Sequence, residues 1–172
     1  CMAGIKLITI CNNLGLKNVI RIMPNVMAKQ NKSQTFVFAK NKQILNSSFD
    51  KLIKSFGSIH YTSNEDQINI ATSIFASGPA FIAYLIKSYI EAAKNLSKKN
   101  QLKDIDLMNL FYNVLSANQN SKDLDFFLDS IASKKGTTQA GVNFLKSQNI
   151  NKIIYTTLNR AYKRAKEIGV DK

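Results

Sequence analysis

Ser133, Gly136, Thr137 and Thr138 lie within six residues of one another, in the stretch Ala132-Ser-Lys-Lys-Gly-Thr-Thr-Gln-Ala-Gly141. A helical pattern resumes at Ala140. Free backbone N–H groups at a helix start, with hydroxyl donors beside them, suit a small anion such as a carboxylate. An ordinary N-cap explains the same hydroxyls, because Ser and Thr are common helix starters. A second unusual stretch is Ser77-Gly78-Pro79-Ala80-Phe81, inside an apolar helical run that continues to Ala93. Proline costs about 3 kcal/mol in a helix interior, so a kink or break is expected near Gly78-Pro79. A packing kink in a core helix accounts for it without any chemistry.

Other candidate residues carry less. His60 is the only histidine and has no Cys, Asp or Glu at ligand spacing, so it reads as a strand-edge side chain and no metal site is expected. Cys1 and Cys11 make neither a disulfide framework nor a metal spacing and are expected as free thiols in a reducing cytoplasm. Net charge is +13; residues 1–62 hold nine basic and one acidic side chain, and residues 63–172 hold fifteen and ten. There is no block of five like charges and no aromatic–basic ladder, so a nucleic-acid partner rests on net charge alone. The longest apolar run, Ile74 to Ile90, is interrupted by Pro79 and Lys87 and is shorter than the ~20 residues a bilayer needs. No membrane partner is expected, and the first residues lack the order of a secretory signal.

The elements that must position these residues follow from periodicity. Leu7 to Leu14 is a helix stopped by Gly15. Val19–Ile22 is a short strand ended by Met23-Pro24-Asn25, where Pro24 holds Met23 extended and Asn25 turns its amide back on the backbone. Thr35–Ala39 is a strand, Ile44–Phe56 a helix, and Ser58–Thr62 a strand. Residues 1–62 thus read as the tail of an α/β unit. From an N-cap cluster at Ser63–Asp66 onward the pattern is helical: a buried helix to Lys99, then Asp104–Ala117, Leu124–Ile131, Val142–Leu145 and Ile150–Ile168. These helices are apolar on more faces than a lone domain of this size can bury, which predicts an intertwined homodimer.

Four stretches in this order resemble the pyrroline-5-carboxylate reductase family. They are Arg21-Ile-Met-Pro-Asn25, Ser77-Gly-Pro-Ala-Phe81, the Ser133–Thr138 loop, and the closing segment Arg160-Ala-Tyr-Lys-Arg-Ala-Lys-Glu-Ile-Gly169. The family's equivalents are an Arg-x-Met-Pro-Asn turn, a Ser-Gly-Pro-Ala-aromatic helix, a Ser-Pro-Gly-Gly-Thr-Thr loop and a closing helix. The resemblance implies the remnant of a Rossmann-like α/β dinucleotide-binding domain (1–62) followed by an all-helical substrate-binding and dimerisation domain (63–172), mostly α overall. It implies hydride transfer from NADPH or NADH to 1-pyrroline-5-carboxylate, giving L-proline. Ser133, Gly136, Thr137 and Thr138 would hold the substrate carboxylate, with Thr138 also facing the ring nitrogen. Ala3, in an Ala-Gly-hydrophobic turn, and Asn25 would wall the nicotinamide end. No side chain is implied as a covalent catalyst.

Three departures stand against a full carry-over. Lys134-Lys135 replaces Pro-Gly, and loss of the glycine is expected to forbid a φ > 0 conformation there. Lys87 stands where the family has an acid, with Glu91 one turn later as a partial replacement. No Gly-x-Gly-x-x-Gly follows any strand, so the phosphate-binding turn is absent. The expectation is a truncated form, inactive alone and completed by a separate chain or the intact gene. The alternatives are a non-catalytic dimerising remnant and a basic helical nucleic-acid-binding module.

Overall fold

The computed structural model describes residues 3–97 and 102–169. They fall into two compact units. One is built from the chain up to Ala80 together with the stretch from Tyr155 on; the other runs from Phe81 to Ile154.

The first unit begins with α1, Leu7–Leu14, which ends at Gly15 in the left-handed region (φ 65°), as the sequence predicts. A three-stranded sheet follows in the order β1-β2-β3, with β1 at Ile20–Met23, β2 at Ser33–Ala39 and β3 at Gly57–Tyr61. β1 and β2 are antiparallel, whereas β2 and β3 are parallel and joined through helix α2, Ser47–Lys54. β1 is one residue later than expected because Met23 still pairs, opposite Phe36. Pro24 removes a donor only at its own position. Along β2 the side chains alternate: Ser33, Thr35, Val37 and Ala39 are buried, their neighbours half-buried. The buried hydroxyls satisfy each other, Ser33 Oγ lying 3.0 Å from Thr35 Oγ1.

The helix expected over Ile44–Phe56 is shorter. Asn46 accepts the Phe49 N–H at 3.0 Å and so starts α2 at Ser47, leaving a 3-10 turn at Lys42–Ile44. Gly57 has φ 137°, and a Cβ there would stand 2.3 Å from Ser33 O, so only glycine lets β3 leave α2 beside β2. The core lies between this sheet and α3, Asp66–Ala71: Val37, Ile53, Ile68 and Ala71 are each at most 1% exposed.

After α3 the chain makes a π-helical turn, Thr72–Ala76, in which Ser77 N–H reaches Thr72 O at 2.9 Å. Helix α4, Gly78–Ser97, then starts afresh with Pro79 in its first turn. This is the expected break, and its form follows from proline: a missing N–H is tolerated in a first turn, and the extra residue of the π turn absorbs the ring. The run Asp66–Ser97 is 32 residues long with a window of mean hydropathy 1.4, long and apolar enough by length and composition to cross a bilayer. The sequence-based expectation that no run reaches that length is therefore corrected: the Gly78-Pro79 break falls between helical segments and does not shorten the apolar stretch.

The second unit contains most of α4, then α5 (Asp104–Ala117), α6 (Ser121–Ile131), α7 (Thr137–Ser147) and the start of α8 (Ile150–Glu167). α6 begins three residues earlier than expected, because Asn120 Oδ1 accepts from both Lys122 and Asp123 N–H. α7 begins at Thr137 rather than beyond Ala140. None of the described residues from Phe81 to Ile154 is buried.

Candidate functional site

The loop between α6 and α7 brings the four predicted residues Ser133, Gly136, Thr137 and Thr138 together. A tight turn is closed by Gly136 N–H donating to Ser133 O at 2.9 Å. Its third residue, Lys135, adopts φ 60°. The expectation that losing the glycine forbids this geometry is overturned. The Lys135 N–H donates to Gln139 Oε1 at 2.8 Å, and that bond from the following helix holds the strained residue in place. Left-handed geometry costs a residue with a Cβ about 1–2 kcal/mol. Lys135→Gly is therefore expected to stabilise the second unit by about 1 kcal/mol, read as a raised urea midpoint with unchanged slope.

Gly136 is the N-cap of α7, and no side chain caps this helix. The ordinary-cap explanation of the hydroxyls is thus corrected: Ser133, Thr137 and Thr138 are not spent on the helix end. The first intrahelical bond is Ala140 N–H to Gly136 O, 3.1 Å. The N–H groups of Thr137, Thr138 and Gln139 precede it and have no acceptor within the helix. A Cβ on Gly136 would stand 2.4 Å from Ser133 Oγ, so glycine lets that hydroxyl fold in beside the helix start. Thr138 is half-buried; Ser133 and Thr137 are exposed. What these groups share chemically is a set of unspent donors around one helix N-terminus.

Ala3 and Asn25 belong to the first unit. Ala3 is half-buried in the bend before Gly4. Asn25 accepts the Met27 N–H on its Oδ1 at 3.0 Å and donates its own N–H to Ser33 Oγ at 3.0 Å, so the turn after β1 is rigid. His60 hydrogen-bonds Gln34 and stacks on Phe36 at 4.9 Å. Lys87 and Glu91 are both exposed and pair with each other at 3.5 Å.

A polar cluster in the first unit escaped the sequence reading. Arg21, 4% exposed, donates through Nη1 to Glu65 Oε1 (2.9 Å) and through Nη2 to Asn69 Oδ1 (3.1 Å). Glu65 Oε1 also accepts the Leu7 N–H at 2.6 Å, capping α1 from a distant element. Asn69 Nδ2 donates to Asp66 Oδ1 at 3.1 Å, and the Tyr162 hydroxyl of α8 donates to Asp66 Oδ2 at 2.6 Å. The hydrogen bond from Tyr162, assisted by Asn69, Lys166 and Arg21 and opposed by burial, holds the Asp66 carboxyl below its ordinary 3.8. Its contribution to stability is thus present above that value and lost as pH falls through the lower, folded value. Tyr162→Phe is expected to flatten the acid limb of a plot of urea midpoint against pH while leaving the limb above pH ~5 parallel. The available signal was a lone arginine in an otherwise apolar strand.

Comparison with known proteins bears directly on this arrangement. The family model for pyrroline-5-carboxylate reductase dimerisation matches residues 65–168. A curated pyrroline-5-carboxylate reductase of Staphylococcus haemolyticus is 31% identical over 176 residues, and one of Staphylococcus aureus (strain COL) is 33% identical over 173; both matches cover 98% of this chain and 63% of the relative. The chain thus spans less than two thirds of the length of these relatives. A Coxiella burnetii pyrroline-5-carboxylate reductase structure superposes with a TM-score of 0.76 at 26% identity, covering 96% of this chain and 63% of that one. A Plasmodium falciparum pyrroline carboxylate reductase, solved with NADP bound, gives 0.80 at 23% identity over 97% and 65%, a likeness of fold. With a small α/β sheet leading into a helical bundle, four motifs in order and a family model over most of its length, this chain belongs to the pyrroline-5-carboxylate reductase family.

Proposed function

We propose that the chain contributes the substrate-holding and dimer-forming part of a proline-forming reductase that acts on 1-pyrroline-5-carboxylate in the cytoplasm, with NADPH or NADH as reductant and no membrane partner. The observation that carries this is the α7 start: three N–H groups and three hydroxyls, all unspent, suit a carboxylate. In this reading the N–H groups of Thr137 and Thr138 and the hydroxyls of Ser133, Thr137 and Thr138 fix the carboxylate, Gly136 leaves the room for its approach, and the Thr138 hydroxyl faces the ring nitrogen. Their work is orientation of a small cyclic imine rather than covalent catalysis.

The reduced nicotinamide supplies hydride when bound. Ala3 and the rigid turn at Asn25 would wall that end of it. The donor chemistry of this sequence does not fit the adenosine diphosphate end: seven glycines are present and no two are spaced as Gly-x-Gly. The 172 residues by themselves are therefore expected not to turn over. The test follows proline formation from 1-pyrroline-5-carboxylate and NADPH, alongside amide chemical shifts on titration with L-proline. Saturable shifts at Thr137 and Thr138, lost in Thr138→Val, without turnover are expected. Turnover by the chain alone would overturn the incomplete cofactor site. Undisturbed Thr137 and Thr138 amides would leave the second reading, a dimerising protein without chemistry, which Lys134-Lys135 favours.

A further inference from the structure

We propose that a second pocket, in the first unit and apart from the α7 loop, binds the zwitterion of a small α-amino acid. It lies where the turn before α1, β1, α3 and the end of α8 meet, and has a volume of about 270 Å³. A single water needs ~10–15 Å³ by this kind of measure, so an amino acid of proline's size has room. Gly4 (φ 77°) lines it where the backbone is tight: a Cβ on Gly4 would stand 2.4 Å from Ala165 O, and one on Gly169, beyond the pocket, would stand 2.0 Å from Gly4 O.

The pocket presents both signs of charge with capacity to spare. Glu65 uses Oε1 twice, for Leu7 N–H and Arg21, while Oε2 receives no hydrogen bond from the described residues. Asp66 takes one donor on each oxygen, from Asn69 and Tyr162, leaving a lone pair on each. The basic groups are Lys6 and Lys166, neither in an ion pair among the described residues. Lys166 Nζ has the Tyr162 hydroxyl at 3.5 Å and its ring at 5.2 Å, and its charge also favours the Asp66 carboxylate without a direct ion pair. Arg21 is committed to Glu65 and Asn69, and its Nε is buried without a partner. A ligand with only a carboxylate would meet Glu65 and Asp66. A ligand with only an ammonium would meet the two lysines. One carrying both, a few ångströms apart, satisfies both sets, and that discrimination is what paired opposite charges supply.

The inference stands apart from the proposed function, borrowing from it only the ring of the probe. The experiment titrates the full chain with L-proline, pyrrolidine and cyclopentanecarboxylate, reading amide shifts at Gly4 and Asn69 separately from those at Thr137 and Thr138. Gly4 and Asn69 should saturate with L-proline and require roughly tenfold more of either single-charge analogue, the scale of two partly exposed ion pairs. Lys6→Met/Lys166→Met, at exposed side chains outside the core, should weaken proline at Gly4 and Asn69 by roughly tenfold. Thr138→Val should leave those shifts unchanged. Equal affinity for all three compounds, or no saturable change at Gly4 and Asn69, overturns the zwitterion pocket. Shifts confined to Thr137 and Thr138 would overturn it while sustaining the loop site.

Discussion

Dilution is expected to unfold the second helical unit. Across Phe81–Ile154 none of the described side chains is buried, and large apolar groups stand open: Tyr84 is 70% exposed, Leu115 64% and Phe126 77%. α4 and α5 meet along an apolar groove of about 460 Å³ lined by Ile82, Leu85, Tyr89, Leu110, Phe111 and Leu115. Tyr89 touches Phe111 edge-on at 5.2 Å, yet Tyr89 remains 48% exposed. Helices without a buried face do not hold their own weight in water. Covering each large apolar side chain is worth about 1.5–3 kcal/mol; the family model that matches here is one for dimerisation, and under the function proposed above a second copy of the same helices would cover them. Apparent stability of this unit is therefore expected to fall by about 1.4 kcal/mol for each tenfold dilution, read as a urea midpoint that moves with protein concentration. Phe111→Asp places a charge in the groove and should give monomers with reduced helix content but an intact first unit. A monomer whose helical signal is independent of concentration would refute the coupling.

The second large effect is expected from one carboxylate. Removing Glu65 takes away the ion-pair partner of Arg21, nearly fully buried, leaving only the more distant Asp66 carboxylate against its charge, and frees the Leu7 N–H at the start of α1. Truncating one member of a buried pair costs about 3–5 kcal/mol, so Glu65→Ala is expected to unfold the first unit at markedly lower urea. The exposed pairs Lys87–Glu91 and Arg164–Glu167 are expected to change the midpoint by no more than about 0.5 kcal/mol each when broken. Replacing both partners, Arg21→Met with Glu65→Leu, should restore much of the loss, because the desolvation cost disappears with the charges. If the double variant is as unstable as Glu65→Ala, the Leu7 cap rather than the ion pair carries the energy.

Local rules read well along this chain where one short segment decides the outcome. Gly15 stops α1 in the left-handed region, Asp104–Ala117 is the expected helix residue for residue, and Pro79 forces a break before α4. Each depends on neighbours within a turn or two, which a sequence displays directly. The helix starts at Ser47, Ser121 and Thr137 shifted because asparagine caps and a turn hydrogen bond compete with apolar periodicity at the boundary, where periodicity says least.

What the residues by themselves determined was the family, the order of α/β and helical parts, and the cluster Ser133–Thr138 as candidate donors. Only the fold decided that those hydroxyls are left free by Gly136, and that Lys135 keeps a glycine-like φ under the grip of Gln139. It also alone joined Arg21, Glu65 and Tyr162, which lie up to 141 positions apart in the chain. The reason is that hydrogen-bond satisfaction is settled by which groups meet in space. Spacing along a sequence carries that information only within a single element.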